Sequence, residues 1–273
     1  MTTKRERHTF LWKIEGAGEA APSFVLGTMH LPGLSLLPCA ARVRQLIEQC
    51  EVLACELDLS AALPVQPLWP GIVQWSLRAA MPAAHYEKLR RMLYKAFGVD
   101  VRQFDHVPPL WLMALLSRVA LDLSGRSLDE ELWQLAQDQG KMVIGLEQLE
   151  TQWAILRQIP LKQQLRELKR IARHPAGFRR RLRKRRALYL AGEIQLLYRL
   201  VRKEAGRSRH ALIDEYNKRM AACAWPLMQG KSVLIAVGAA HLPGHNGLLR
   251  LFKQRGAHVV PLPWHACDIG PDG

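Results

Sequence analysis

Two histidines near opposite ends of the chain sit in almost the same local sequence. One copy reads Val25-Leu26-Gly27-Thr28-Met29-His30-Leu31-Pro32-Gly33, the other Ala236-Val237-Gly238-Ala239-Ala240-His241-Leu242-Pro243-Gly244. Each is an apolar run followed by Gly-x-x-His-Leu-Pro-Gly. Two glutamates hold comparable places: Glu56 lies inside the apolar run Val52–Leu57, and Glu147 closes the run Met142–Leu146. An ionised carboxylate within a buried strand is costly unless it is paired, hydrogen-bonded or bound to a cation. Two neutral imidazoles with one or two carboxylates make a divalent-metal site, with water at an open position. His30, His241 and Glu56 are therefore the expected ligands. Glu56 and Glu147 are the expected catalytic carboxylates, able to take the proton of an activated water.

Taken singly, each residue has a plainer reading. A lone His is more often a hydrogen-bonded structural residue, and a lone Glu often pairs with an arginine. Glu147 could simply favour the start of a following helix, an effect of about 0.3–1 kcal/mol. Repetition lifts the set above these readings, because two unrelated loops rarely need the same Gly-x-x-His-Leu-Pro-Gly.

The elements that must position these residues can be read around them. Gly and Pro punctuate strand ends, so each His should stand just beyond the C-terminal end of a buried strand, the edge where open α/β sheets bind ligands. Thr9–Ile14 and Ser23–Leu26 predict a hairpin, and Ala41–Gln49 an amphipathic helix. Val52–Leu57 predicts a central strand. Pro64–Leu123 is helical and broken by prolines. Ser127 predicts an N-cap for a helix running to Gln139 and ended by Gly140. A strand at Met142–Leu146 and a helix at about Leu149–Gln158 follow. Leu161, Leu165, Leu168 and Ile171 recur at helical spacing, and the periodicity resumes over Leu188–Val201. The polar run Arg202–His210 predicts a loop and Ala211–Met228 a further helix. Ser232–Val237 is the last core strand, followed by a helix over Gly247–Gln254 and a strand over His258–Leu262. Trp12, Trp111 and Trp264 are expected in the core, and His245 and Asn246 in a surface loop. The alternation of strands and helices predicts an α/β fold with a central mixed sheet, flanking helices and a helical insertion or lid. Residues 8–265 read as one domain holding a basic helical segment at 157–210.

The 273 residues carry a formal charge of +15, and pI is about 10.1. Thirteen Lys and Arg lie between Arg157 and Arg186, against the single acid Glu167. Such a stretch can dock nucleic acid or anionic lipid. Five cysteines without Cys-x-x-Cys argue against a disulfide framework or a zinc finger. No apolar leader follows the basic Met1–His8. The longest charge-free run, Leu59–Leu77, contains Pro64, Pro67 and Pro70 and makes a poor membrane span. The expectation is a cytoplasmic protein, at most peripheral to a membrane.

At these residues the sequence resembles the TraB/GumN family, which is related to the Tiki metalloproteases. The resemblance runs from Trp12 to Leu262. It rests on Gly27-Thr28-Met29-His30, on Glu56-Leu57-Asp58, and on the segment around Pro109-Leu110-Trp111. It continues with Leu128-Asp129, with Gly145-Leu146-Glu147 and Gln152 beyond it, with Asn217-x-x-Met220, and with Gly238-Ala239-Ala240-His241. The family pattern usually has an arginine before that asparagine, and Tyr216 stands here instead. The resemblance implies a divalent cation (Mn, Co or Zn) held by the two Gly-x-x-His motifs and acidic residues. Gly27, Thr28, Asp58, Gln152, Asn217 and Gly238 would line the site, and the reaction would be hydrolysis of a peptide or other small amide. The competing expectation is a non-catalytic protein that binds nucleic acid or an acidic membrane through Arg157–Arg186.

Overall fold

The apolar runs around the candidate residues form one sheet. Its strands are β1 (Leu11–Glu15), β2 (Ser23–Thr28), β3 (Val52–Leu57), β4 (Met142–Glu147), β5 (Val233–Gly238) and β6 (His258–Pro261). The computed structural model describes residues 8–18, 21–29, 33–59, 76–123, 125–148 and 158–265, with the backbone alone at 205–212. His30 and Gln152, and all of the predicted Leu149–Gln158 helix except Gln158, lie outside the described residues.

Strand order is β4-β3-β5-β2-β1-β6. The first four are mutually parallel, and β1 is antiparallel to both β2 and β6, so the sheet is mixed. A continuous apolar run suits a strand covered on both faces, and Val233 to Val237 are each wholly buried. Turns at the helix ends follow local chemistry. Ser127 accepts from the Glu130 N–H while the Glu130 side chain accepts from the Ser127 N–H, a reciprocal cap that starts the helix at Leu128.

The described residues fall into two compact units. The first holds the sheet, with helices α1 (Ala40–Gln49), α4 (Leu128–Asp138), α7 (Ile194–Gly230) and α8 (Leu248–Gln254). Its largest buried side chains include Phe10, Tyr189 and Trp264, whose rings meet at centroid distances of 4.7, 5.3 and 5.4 Å. The second holds α2 (Ala83–Phe97), α3 (Pro109–Ala120) and α5 (Leu161–Arg173), packed through Leu89, Leu93, Leu112, Leu116, Leu168 and Ile171. Helix α6 (Pro175–Leu190) begins in the second unit and ends in the first. Trp12 and Trp264 are buried as expected, and Trp111 is half-buried. Cys39, Cys50 and Cys55 are free and buried, and burial pushes the thiols of Cys39 and Cys50 up to about 12. Among the described residues no helix is long and apolar enough to cross a membrane.

Two predicted elements are corrected: the helical run Leu188–Val201 is divided, α6 ending at Leu190 and α7 starting at Ile194 with Gly192 at φ 74° between them, and the predicted loop is helical. Arg202–His210 is not a loop but the middle of α7, which runs unbroken for 37 residues. Arg, Lys, Glu and Ala are strong helix formers, and this run contains no proline. The single Gly206 costs only about 1 kcal/mol relative to alanine. Continuity with the apolar turns on either side carries the helix through a stretch with no periodicity of its own.

Candidate active site

Four adjacent parallel strands, β4, β3, β5 and β2, present their C-terminal ends along one edge. Glu147 ends β4, Glu56 is the penultimate residue of β3, Gly238 ends β5 and Thr28 ends β2. Thr28 is paired with Gly238, so the two Gly-x-x-His motifs leave neighbouring strands side by side. After Gly238 the chain turns at once into a short 3-10 segment, Ala239–His241, which carries the second histidine.

A chain of hydrogen bonds fixes that histidine. Asn217, on α7 and 2% exposed, donates from Nδ2 to the Asn246 carbonyl at 2.8 Å. A carbonyl can only accept, so the amide orientation is set and Oδ1 must face the other way. Oδ1 lies 2.6 Å from His241 Nδ1. An amide oxygen can only accept, so Nδ1 carries the proton, which in the neutral form of the ring leaves the lone pair on Nε2. Nε2 lies 3.8 Å from Glu56 Oε1, too far for a hydrogen bond. Glu56 is held in turn by its other oxygen, which accepts the Gly238 N–H at 2.9 Å. Both side chains keep some solvent access, at 15% for His241 and 21% for Glu56. Asn246 also donates from Nδ2 to Asp214 at 3.0 Å, which anchors the loop after the second motif to α7.

Glu147 is deeply buried and accepts from Arg219 at 2.9 Å. Burial raises its carboxyl above the ordinary value; the Arg219 guanidinium opposes the shift and the Glu56 charge adds to it. Tyr216 packs its ring 5.5 Å from that of His241. Burial, then the charges of Glu56 and Glu147, hold its hydroxyl protonated. That oxygen is close enough to Glu56 to feel its charge, yet among the described residues no partner reaches it with good hydrogen-bond geometry. The cation beside Glu147 comes from Arg219, less than one helical turn beyond Tyr216 on α7.

The shared glycines serve different ends. A Cβ on Gly27 would meet Leu242 of the second motif at 2.7 Å and Ala239 at 3.2 Å, so the first motif's glycine makes room for the second motif's turn. A Cβ on Gly238 would lie 3.1 Å from Glu56 Oε2 and 3.3 Å from the His241 ring. The two Leu-Pro-Gly glycines both adopt positive φ, 77° at Gly33 and 105° at Gly244. Each gives its open side to a residue from elsewhere: Glu131 lies over Gly33 and accepts the Leu34 N–H at 2.6 Å, and the Tyr198 hydroxyl lies over Gly244. The Gly27 carbonyl accepts from the Tyr189 hydroxyl at 2.7 Å.

Of the residues expected at the site, the structure joins Glu56, Gly238, His241 and Asn217 in one connected group, with Gly27 and Thr28 on the neighbouring strand and Glu147 at the strand beyond β3. Asp58 is exposed, and its backbone packs over Gly145. Asn246, expected in a surface loop, belongs to the group. Arg219 and Asp214 are not marked by the sequence, and Tyr216 stands out there only as the departure from the pattern that the resemblance rests on. Only the helical spacing of Asp214, Asn217 and Met220 hinted that this face of α7 meets the sheet edge. Among the described residues no three His, Cys, Asp or Glu side chains gather as a metal-ion site. Two donors, His241 Nε2 and Glu56 Oε1, face each other across 3.8 Å. Ligands about 2.0–2.2 Å from one ion stand roughly 3–4.4 Å from each other, so this pair fits part of a divalent-cation shell.

The sequence pattern of the TraB/PrgY/gumN family matches residues 10–261, nearly the whole chain. No curated protein and no solved structure matches significantly.

Proposed function

The chain belongs to the TraB/PrgY/gumN family, and on that premise we propose that it is a divalent-metal-dependent hydrolase of peptide or other small amide bonds. One observation carries the proposal: His241 is locked with its lone pair on Nε2, aimed across 3.8 Å at a carboxylate oxygen that is itself held by Gly238. A proton-sharing pair would close that gap, whereas two ligands of one cation would keep it. A bound Mn, Co or Zn ion would supply the positive charge that polarises an amide carbonyl. His241 and Glu56 would hold it, with His30 as the third ligand that the resemblance implies. Asn217 keeps the His241 ring in the ligating tautomer, the usual task of a group behind a metal-bound histidine. Glu147 is the spare carboxylate. Its burial favours the protonated form and Arg219 restrains that tendency, which suits a group that must both take and return a proton.

The test is a metal titration of purified protein by calorimetry, with elemental analysis of what co-purifies. Mn, Co or Zn should bind to wild type, and His241→Ala and Glu56→Gln should each weaken binding at least tenfold. Wild-type protein that binds none of the three, or variants that bind them as well as wild type, would remove the basis of the reading. Cleavage of a fluorogenic peptide library, with each metal in turn, would then define the substrate.

A further inference from the structure

The second compact unit carries a surface unrelated to the sheet edge in its chemistry. Helices α2 and α5 frame one hollow, lined by His85 and Lys88 from the first and Lys169 and Arg173 from the second. The α5–α6 corner frames another, lined by Arg170, Arg173, His174, Arg180 and Arg181. Arg173 borders both, so the two hollows form a continuous cationic tract. Among the described residues no carboxylate lines either one. The only acid on α5 and α6 is Glu167, which pairs with Arg170 at the surface. Burial and the neighbouring Arg170 and Arg180 charges depress the Arg181 guanidinium, and the Glu167 charge only partly offsets them.

The cations face outward because the apolar stripes are already used. Leu168, Ile171 and Leu182 are buried in the core of this unit. Arg179 is turned inward as well, donating to the Ala96 carbonyl and lying over the Phe97 ring at 4.8 Å. Three partner chemistries can be weighed. A bilayer-binding helix needs a free apolar face to insert, and among the described large apolar residues of α5 and α6 only Leu161 is exposed. A single strand needs aromatic platforms, but Phe178 is buried and Tyr94, exposed on α2, lines neither hollow. Arginine predominates, and its planar fork pairs with phosphate in bidentate fashion. We propose that this tract binds the phosphate backbone of double-stranded nucleic acid without regard to sequence.

The proposal stands apart from the hydrolase reading and is tested separately. Fluorescence anisotropy of a short labelled DNA duplex, titrated with full-length protein at several salt concentrations, gives the slope of log K against log salt. Lys88, Lys169, Arg173, Arg180 and Arg181 together predict a slope of roughly −4 to −5 and a loss of about 500-fold between about 50 and 200 mM salt. The variant Lys88→Gln/Lys169→Gln/Arg173→Gln/Arg180→Gln should bring the slope to about −1, with an unchanged melting temperature as the fold control. Arg173→Lys/Arg180→Lys should keep the wild-type slope. The proposal is overturned by no duplex binding at about 50 mM salt, by an unchanged slope in the fourfold variant, or by tighter binding at equal salt to phosphatidylglycerol vesicles or a single strand than to duplex.

Discussion

Asn217→Leu is the most searching perturbation of the candidate site. The side chain is 2% exposed and makes two hydrogen bonds, to the Asn246 carbonyl and to His241 Nδ1. Leucine keeps the same branched four-atom skeleton with bulkier methyl ends, so the change removes polar partners without opening a hole. It leaves two polar groups without their partner. Each such loss costs about 1–3 kcal/mol, nearer the low end for His241, whose ring keeps some access to water. Leucine's better helix propensity returns about 0.5 kcal/mol. The expected net loss is roughly 2–4 kcal/mol, or about 5–12 °C in melting temperature for a chain of this size. A second effect is specific to the proposed role. With Oδ1 gone, nothing holds the proton on Nδ1, and His241 should relax toward the Nε2–H form that predominates in free imidazole side chains. Long-range 15N–1H correlation spectra of histidine-labelled protein distinguish the two tautomers directly. A variant that melts within about 1 °C of wild type, or a His241 that keeps its Nδ1 proton, would refute the claim that Asn217 sets the ring.

Other perturbations follow from the same geometry. Gly244→Ala should destabilise by more than about 1 kcal/mol, because φ is 105° and the new Cβ would meet the Tyr198 hydroxyl; adding Tyr198→Ala should restore only the part due to the clash, as thermal melts of the single and double variants would show. Tyr189→Phe should cost roughly 1–3 kcal/mol by leaving the buried Gly27 carbonyl without its donor, measured by denaturant unfolding. Glu147→Gln tests the buried acid. Its carboxyl is raised in the folded state, so its contribution to stability is full below the unfolded value and is lost as pH rises through the folded one. Wild type should therefore lose stability relative to Glu147→Gln as pH climbs through the range above 4.5, and melting curves that stay parallel across that range would contradict it.

Much of the sheet was legible because its strands are short apolar runs bounded by Gly, Pro or charged residues. Val52–Leu57 emerged with its predicted ends, and Met142–Leu146 was extended only by Glu147. The helix at Leu128 was legible at its start because Ser127 and Glu130 make a local reciprocal cap. The middle of α7 was not, since a polar run without periodicity looks the same in a loop as in a helix held by its neighbours. At the site, His241 and Glu56 could be read because a repeated motif and a charge inside an apolar strand are both anomalies within a few residues. Tyr216, Arg219 and Asn246 carry no such local mark. Their roles arise only when α7 is laid over the sheet edge, a contact between segments far apart in the chain. The packing of Leu242 over Gly27 belongs to the same class. The repetition of the motif was visible, but the interlocking of its two copies was not.

The position of β5 in the middle of the sheet has a consequence for biosynthesis. The chain makes β1, β2, β3 and β4 first, yet β2 and β3 cannot touch each other, because the slot between them belongs to residues 233–238. A nascent or truncated polypeptide ending before Val233 therefore holds two half-sheets, β1–β2 and β3–β4, each with an open inner border of unpaired N–H and C=O groups. Such borders recruit foreign strands and invite aggregation. The strand that heals them also delivers His241 to Glu56, so neither the joined sheet nor the site exists until residues 233–241 have been made.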